Sequence, residues 1–207
     1  QCCESSSLSL PTKIIMDLRE FNNLTDLFFY QSKNQQKSDI FLEWLNPNNP
    51  KTFSWSLTEI NILKLSKILK KYLKNGDRCL LVSENRPEWF ISDMAIMLSK
   101  GITVPAYITY TEEDYRYLIN DCEPSVIILS NKIMYEKLKK VISEKEFIKK
   151  VITLDKITEA NYEKKYLDFS SIDQINLSNE DKITKNNSKR NSPACIIYTS
   201  GTGGNPK

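Results

Sequence analysis

Histidine is absent from the 207 residues of this chain. These residues therefore contain neither a Ser-His-Asp nor a Cys-His nucleophile, nor a metal site built on imidazole. The chain has five cysteines, and no two of them form a Cys-x-x-Cys pair. Cys79 and Cys195 lie inside apolar runs, where cysteine behaves as a small hydrophobic residue. These features predict a reduced, cytoplasmic protein without a disulfide framework.

Long apolar runs and concentrations of one charge are also missing. No run approaches the length of about 20 residues that a transmembrane helix needs. The net charge is +3, from 29 basic and 26 acidic residues that are interspersed along the chain. Nucleic-acid binding usually needs a concentrated basic face, so no nucleic-acid partner is expected. With 40% hydrophobic and 27% charged residues, the composition is that of a globular domain.

Short apolar runs alternate with helical patterns through the middle of the chain. We predict strands at residues 79–82, 102–107, 126–129 and 151–154, separated by helices that begin at Pro87, after Thr111 and after Asn131. This order predicts an α/β fold with a mostly parallel sheet flanked by helices. The side chains expected in its core are Phe90, Ile96, Val104, Ile127 and Ile152.

The flanking segments are less regular. Residues 41–45 and 52–55 predict a strand–turn–strand unit, followed by a helix capped by Ser56 or Thr58 and ended by Asn75-Gly76. Residues 170–193 are rich in Ser, Asn, Asp and Lys and predict a surface connection to a final strand at 194–198. Residues 1–15 show no pattern, and we expect a non-native or disordered extension there, with Met16 as the natural start.

The last residues carry the strongest chemical pattern. After the apolar run at 194–198 comes a loop rich in hydroxyls and glycines, closed by a lysine: Thr199, Ser200, Gly201, Thr202, Gly203, Gly204 and Lys207. Backbone N–H groups, hydroxyls and an ammonium on a loop after a strand suit a polyphosphate. The loop is not a Walker A motif, because a proline precedes the lysine, and its glycines do not have the GxGxxG spacing.

Tyr-Thr-Ser-Gly-Thr-x-Gly-x-Pro-Lys at 198–207 resembles the AMP-binding signature of the acyl-adenylate-forming enzymes. Gly203 stands where that signature usually has a second threonine. Residues 76–89 and 95–107 also resemble this family, and their Glu-Asn-Arg-Pro-Glu-Trp and Val-Pro-Ala-Tyr segments are most similar to its long-chain acyl-CoA synthetase branch. From the residues alone, 85–87 are predicted to be an ordinary strand-to-helix turn, and Trp89 to be a core residue rather than a ligand contact.

The resemblance implies that residues 16–207 are an incomplete N-terminal portion of the large AMP-binding domain. It implies a long-chain fatty acid–CoA ligase that uses ATP, Mg²⁺ and coenzyme A, with Thr199, Ser200, Gly201, Thr202, Gly203, Gly204 and Lys207 on the ATP phosphates. The complete catalytic set and the magnesium ligands would lie outside these residues, so we expect no activity from the chain alone.

Several alternatives stay open at this stage. They are a non-catalytic remnant, a nucleotide-binding module, and another adenylate-forming ligase such as an amino-acid adenylation domain. A complementary C-terminal chain and a peripheral membrane contact are open as partners.

Overall fold

A parallel sheet with helices on both faces forms most of the computed structural model, which describes residues 20–157, 165–182 and 188–199. The helices are α1 (Leu24–Lys33), α2 (Trp55–Leu69), α3 (Pro87–Leu98), α4 (Glu112–Cys122), α5 (Lys132–Ser143), a 3-10 helix (Phe169–Gln174) and α6 (Asn179–Lys182). The strands are β1 (Ile40–Trp44), β2 (Lys51–Ser54), β3 (Arg78–Val82), β4 (Ile102–Ala106), β5 (Val126–Leu129), β6 (Lys150–Thr153) and β7 (Tyr166–Asp168).

The main sheet has the strand order β4-β3-β5-β6-β7, and each neighbouring pair is parallel. This confirms the predicted α/β class. The β1–β2 hairpin is antiparallel and forms a separate two-stranded sheet. Strand β7 was not predicted, because its three residues are too few to show a pattern of alternation.

The central strands are apolar on both sides because helices cover both faces. In β3, Cys79 and Leu81 join the core cluster formed with α2 and α3, whereas Leu80 and Val82 join the cluster formed with α4 and α5. All four side chains have no exposed area. A run without polar alternation is therefore what a central parallel strand requires.

Four of the five predicted core residues are fully buried: Ile96, Val104, Ile127 and Ile152. The prediction for Phe90 was wrong in degree, because its side chain is only partly buried. Phe90 packs edge-on against Phe28 and Phe41, with ring centroids 5.8 and 5.4 Å away. It therefore lies where the hairpin meets α3 and not beneath the sheet.

The predicted beginnings of α3, α4 and α5 are confirmed. At α4, the Asp114 N–H donates to Thr111 Oγ1 at 3.2 Å, and the Thr111 N–H donates to Asp114 Oδ2 at 2.9 Å. This capping box satisfies backbone donors that the first turn would otherwise leave unpaired. Asn131 caps α5 through its side-chain oxygen.

The predicted start of α2 was wrong. Ser54 Oγ accepts a hydrogen bond from the Leu57 N–H at 3.1 Å, so the helix begins at Trp55 and not after Ser56 or Thr58. The three hydroxyl residues are close in sequence and equally suited to capping. The strand β2 decides between them, because it places Ser54 in extended backbone at the end of the hairpin.

Residues 194–198 lie beside β4, at the edge of the main sheet. Their contact is one parallel bridge between Thr103 and Cys195. The Thr103 N–H donates to the Ala194 oxygen at 3.1 Å, and the Ile196 N–H donates to the Thr103 oxygen at 2.9 Å. The predicted final strand thus joins the sheet, but through a shorter contact than its five apolar residues indicated. Residues 1–15 lie outside the described part of the chain.

Candidate functional site

The carboxyl ends of β3 and β4 lie at one edge of the sheet, and a cleft of about 510 Å³ opens there. Its lining residues are Ser83, Glu84, Asn85, Trp89, Pro105, Ala106, Tyr107, Ile108, Ile197 and Tyr198. Open parallel sheets bind their ligands outside the carboxyl ends of the strands. This position makes the cleft the candidate site.

The phosphate-binding motif predicted from the sequence begins at this cleft. Tyr198 lines it with 7% of its surface exposed, and Thr199 is exposed. The other predicted site residues lie outside the described residues: Ser200, Gly201, Thr202, Gly203, Gly204 and Lys207. Of the predicted phosphate contacts, Thr199 is therefore the one whose position beside the cleft is described.

One wall of the cleft is the loop after β4, and α4 and α5 hold it in place. The Tyr115 hydroxyl donates to the Tyr107 carbonyl oxygen at 2.6 Å. The Lys137 ammonium donates to the carbonyl oxygens of Ile108 at 3.1 Å and of Tyr110 at 3.0 Å. These bonds satisfy carbonyl groups that an irregular loop leaves unpaired, so this wall has a defined position.

A second part of the cleft lining, on the segment beside β4, is held through Tyr198. Its hydroxyl donates a hydrogen bond to the Asp121 carboxylate on α4. The pKa of Tyr198 is raised above its usual value. Burial is the largest cause, and the hydrogen bond to the Asp121 anion is the next. The two residues are separated by 77 positions, so no local sequence pattern could have indicated the pair.

A buried ion-pair cluster lies directly behind the cleft, at the start of α3. Arg86 Nε donates to Glu88 Oε2 at 2.9 Å and Arg86 Nη2 donates to Glu88 Oε1 at 3.1 Å. Arg86 Nη2 also donates to Asp155 Oδ1 at 2.9 Å, beyond the end of β6. The Arg86 side chain is fully buried and that of Glu88 is 4% exposed. The turn at 85–87 is therefore more than the ordinary connection predicted from the sequence.

The hairpin completes this cluster. Lys51 Nζ on β2 lies 2.7 Å from Glu88 Oε1, and the Arg86 guanidinium carbon lies 4.8 Å from the centre of the Trp44 ring. Burial alone would raise the pKa of Glu88, but the hydrogen bonds from Arg86 and Lys51 outweigh burial and hold this pKa below its usual value. The cluster joins the hairpin, α3 and β6 behind the site. No sequence signal marked it beyond the two opposite charges flanking Pro87.

Metal ligands and a second cavity also bear on what this part of the chain can bind. Within the described ranges, no group of His, Cys, Asp and Glu side chains could hold a metal ion. A second cavity, of about 340 Å³, lies at the amino ends of β3 and β4 and is lined in part by Gly76, Lys100 and Ile102. This cavity is at the opposite end of the strands from the predicted motif. None of the helices in the described part of the chain is long and apolar enough to span a membrane.

Comparison with known protein families gives the class of this fold and site. The family model "AMP-binding enzyme" matches residues 29–207. The chain belongs to this family, which is the family that the motif at 198–207 resembles.

Individual relatives point within the family to enzymes that act on fatty acids. The chain is 32% identical to fatty acyl-CoA synthetase A of Dictyostelium discoideum over 69% of this chain and 22% of that protein. It is 29% identical to the long-chain-fatty-acid–CoA ligase FadD15 of Mycobacterium tuberculosis over 64% of this chain and 21% of that ligase. The chain therefore spans about a fifth of the length of the curated relatives it matches.

Solved structures support the fold. The anthranilate CoA ligase AuaEII, in complex with anthranoyl-AMP, superposes with a TM-score of 0.76 at 17% identity, covering 93% of this chain and 35% of that one. At this identity the likeness shows the shared fold alone. The described sheet and helices thus have the fold of the AMP-binding enzyme family.

Proposed function

We propose that this chain is the N-terminal part of an ATP-dependent long-chain fatty acid–CoA ligase. In the proposed reaction, a carboxylate oxygen of the fatty acid attacks the α-phosphorus of ATP, and the bond to pyrophosphate breaks. The acyl-adenylate then passes its acyl group to the thiol of coenzyme A, and AMP leaves. The observation that carries this proposal is the position of Tyr198 and Thr199 at the carboxyl edge of the sheet, where the family's AMP-binding motif begins.

The proposed roles follow from the chemistry of each residue in the motif. Hydroxyl groups of Thr199, Ser200 and Thr202 would donate to the phosphate oxygens. The residues Gly201, Gly203 and Gly204 would offer backbone N–H groups at close approach, and Lys207 would add positive charge near the β- and γ-phosphates. Donors directed at the departing pyrophosphate stabilise the charge that develops on it.

Magnesium belongs to the proposal as the cation that accompanies ATP. No step of the proposal depends on a protein ligand to magnesium, because the described residues contain no cluster that could hold the ion. Coenzyme A is proposed as the acyl acceptor on the strength of the similarity to fatty acyl-CoA synthetases. The proposed setting is the cytoplasm, with binding to lipid vesicles as the measurement that decides whether a membrane surface is involved.

We further propose that the 207-residue chain does not turn over by itself. Adenylation requires the phosphates, the adenine and the carboxylate to be held in one geometry, and such positioning lowers a barrier by about 7–11 kcal/mol. The described cleft holds the beginning of the phosphate motif, and an exposed phosphate contact alone binds weakly in salt. A complementary chain that supplies the remaining groups would restore the reaction.

The test is pyrophosphate release that depends on fatty acid, ATP and Mg²⁺, with Lys207→Ala as the control. We expect no release from the isolated chain and recovery when a C-terminal portion of a related synthetase is added. Clear release by the isolated chain, lost in Lys207→Ala, would contradict the proposed inactivity and support the ligase assignment. Release with amino acids and not with fatty acids would instead assign an amino-acid adenylation domain.

A nucleotide-binding module is the second candidate. The cleft and the start of the phosphate motif support it, because both can serve binding without any catalytic group. Equilibrium dialysis with ATP tests this function directly. Binding that Lys207→Ala weakens, without turnover after complementation, would favour the module over the ligase. Absence of binding would leave a non-catalytic remnant.

A further inference from the structure

The last described residues of the chain have few backbone contacts. After the Ile196 N–H, which donates to the Thr103 oxygen, no backbone hydrogen bond within the described ranges holds residues 197–199. Ile197 is 62% exposed and Thr199 is exposed. Tyr198 between them is buried and packs among the side chains of the α4–α5 core cluster. Its side chain is therefore the attachment of this segment beyond Ile196.

The hydroxyl of Tyr198 gives this attachment a defined direction. Apolar packing holds the ring, but this packing is non-directional. The ring can therefore rotate or slide at little cost in free energy. The hydrogen bond to the Asp121 carboxylate is charge-assisted, which makes it shorter and stronger than a bond between neutral groups. Because Asp121 lies in the last turn of α4, the bond ties the segment to a helix that packs firmly on the sheet.

We propose that Asp121 is a positioning residue for the phosphate-binding motif and acts through Tyr198. This inference rests on the proposed function, because it assumes that the motif binds the phosphates of ATP. Thr199, the first hydroxyl of the motif, directly follows the anchored tyrosine. A displacement of about 1 Å at a site that must align phosphates can lower the reaction rate by as much as about 10²-fold. Asp121 thus sets where the motif starts without touching the nucleotide.

The α4–α5 core cluster offers a matched control away from the cleft. Ile142 on α5 belongs to the same cluster as Tyr198, is fully buried, and does not line the cleft. Ile142→Val removes one methylene group from this core and leaves the hydrogen bond between Tyr198 and Asp121 in place. The proposal predicts that Tyr198→Phe and Ile142→Val differ in their effect on the phosphate motif.

The experiment is ATP titration of the full chain by calorimetry, with unfolding in urea measured on the same samples. Tyr198→Phe and Asp121→Ala should each weaken ATP binding about tenfold, which is the loss expected if the start of the motif is correctly placed about a tenth of the time. The double variant should be no weaker than either single variant, because both remove one interaction. Asp121→Asn, which keeps an acceptor oxygen, should restore most of the affinity.

The control separates positioning from general loosening. Ile142→Val should lower the urea midpoint, because it creates a small cavity in the core, while the ATP affinity stays within about twofold of that of the unsubstituted chain. Equal weakening of ATP binding by Ile142→Val and Tyr198→Phe would overturn the proposal. The proposal would also be overturned if Tyr198→Phe left the ATP affinity unchanged, or if the double variant lost affinity by the product of the two single losses.

A further readout needs no nucleotide and separates this inference from the proposed function. Hydrogen exchange of the Ile196 amide should be faster in Tyr198→Phe and Asp121→Ala than in Ile142→Val, because the anchor lies two residues beyond that amide. If the unsubstituted chain fails to bind ATP even with the complementing C-terminal portion present, the proposed function fails, and faster Ile196 exchange still supports Asp121 as the anchor of the segment. Unchanged Ile196 exchange in both variants would refute the anchor itself.

Discussion

Removal of Glu88 should destabilise the chain more than removal of Asp155, the other carboxylate that is hydrogen-bonded to Arg86 behind the cleft. Glu88 accepts two hydrogen bonds from Arg86, and Lys51 lies 2.7 Å from one of the same oxygens. In Glu88→Ala, Arg86 keeps the carboxylates of Asp155 at 2.9 Å and Glu84 at 3.6 Å, whose side chains are 47% and 29% exposed. The buried guanidinium would then lose both of its hydrogen bonds to a buried carboxylate.

The expected size of the effect follows from these exposures. Breaking a buried pair by removing one partner costs about 3–5 kcal/mol, and the remaining bond to Asp155 favours the lower end, at about 3 kcal/mol. Asp155→Asn is the matched control on the same guanidinium. Because Asp155 is half exposed, its substitution should cost no more than about 1 kcal/mol.

Urea unfolding followed by circular dichroism measures both variants. With an m-value of about 2–3 kcal/mol/M, Glu88→Ala should lower the midpoint by about 1 M or more. The pH dependence gives a second check. The pKa of Glu88 is depressed in the folded chain, so its contribution is complete above the unfolded value of about 4.3 and is lost as the pH falls through the folded pKa. The difference between the two chains should therefore narrow in acid.

A double variant tests the physical reasoning further. Arg86→Met with Glu88→Met removes both charges at once and should cost less than the sum of the single substitutions, because neither group is left unpaired. Three results would refute the argument: a Glu88→Ala chain within about 0.5 kcal/mol of the original, an Asp155→Asn chain that is less stable than Glu88→Ala, or additive losses in the double variant.

Three further predictions concern other parts of the fold. Tyrosinate absorbance should show that Tyr198 ionises at a pH above the usual tyrosine pKa of about 10. The contribution of Tyr198 to folding stability should be complete below its unfolded pKa and should be lost as the pH rises through its folded pKa. Ionisation of Tyr198 at the ordinary tyrosine pKa would contradict this prediction. Thr111→Ala should cost about 1 kcal/mol in urea unfolding, because the capping box with Asp114 is lost, and a neutral result would mean that α4 does not need its cap. Gly101→Ala should cost about 1–3 kcal/mol, because the added Cβ would lie 2.9 Å from Leu73 Cδ1, and an unchanged thermal midpoint would show that this contact relaxes freely.

The sequence was sufficient for features that depend on neighbouring residues. The start of α3 and both ends of β5 agree with the structure, because Pro87 starts a helix through its fixed φ angle and the run at 126–129 is bounded by polar residues. The caps at Thr111 and Asn131 were predicted for the same reason, since capping acts over three residues. The phosphate motif was also predicted from neighbouring residues, because its donors are consecutive in the chain, and it stays a prediction.

The tertiary structure alone decided which distant groups meet. Asp121 and Tyr198 are 77 positions apart, and Lys51 and Glu88 are 37 apart, so each pair exists only after strands and helices have packed. The choice of Ser54 as the cap of α2 likewise depended on where the hairpin ends. Periodicity reports which side of an element is buried, but the identity of the opposite partner is set by strand order and helix packing. For this reason the sequence indicated a candidate phosphate motif, whereas the contact of Tyr198 with Asp121 at the start of that motif became visible only in the fold.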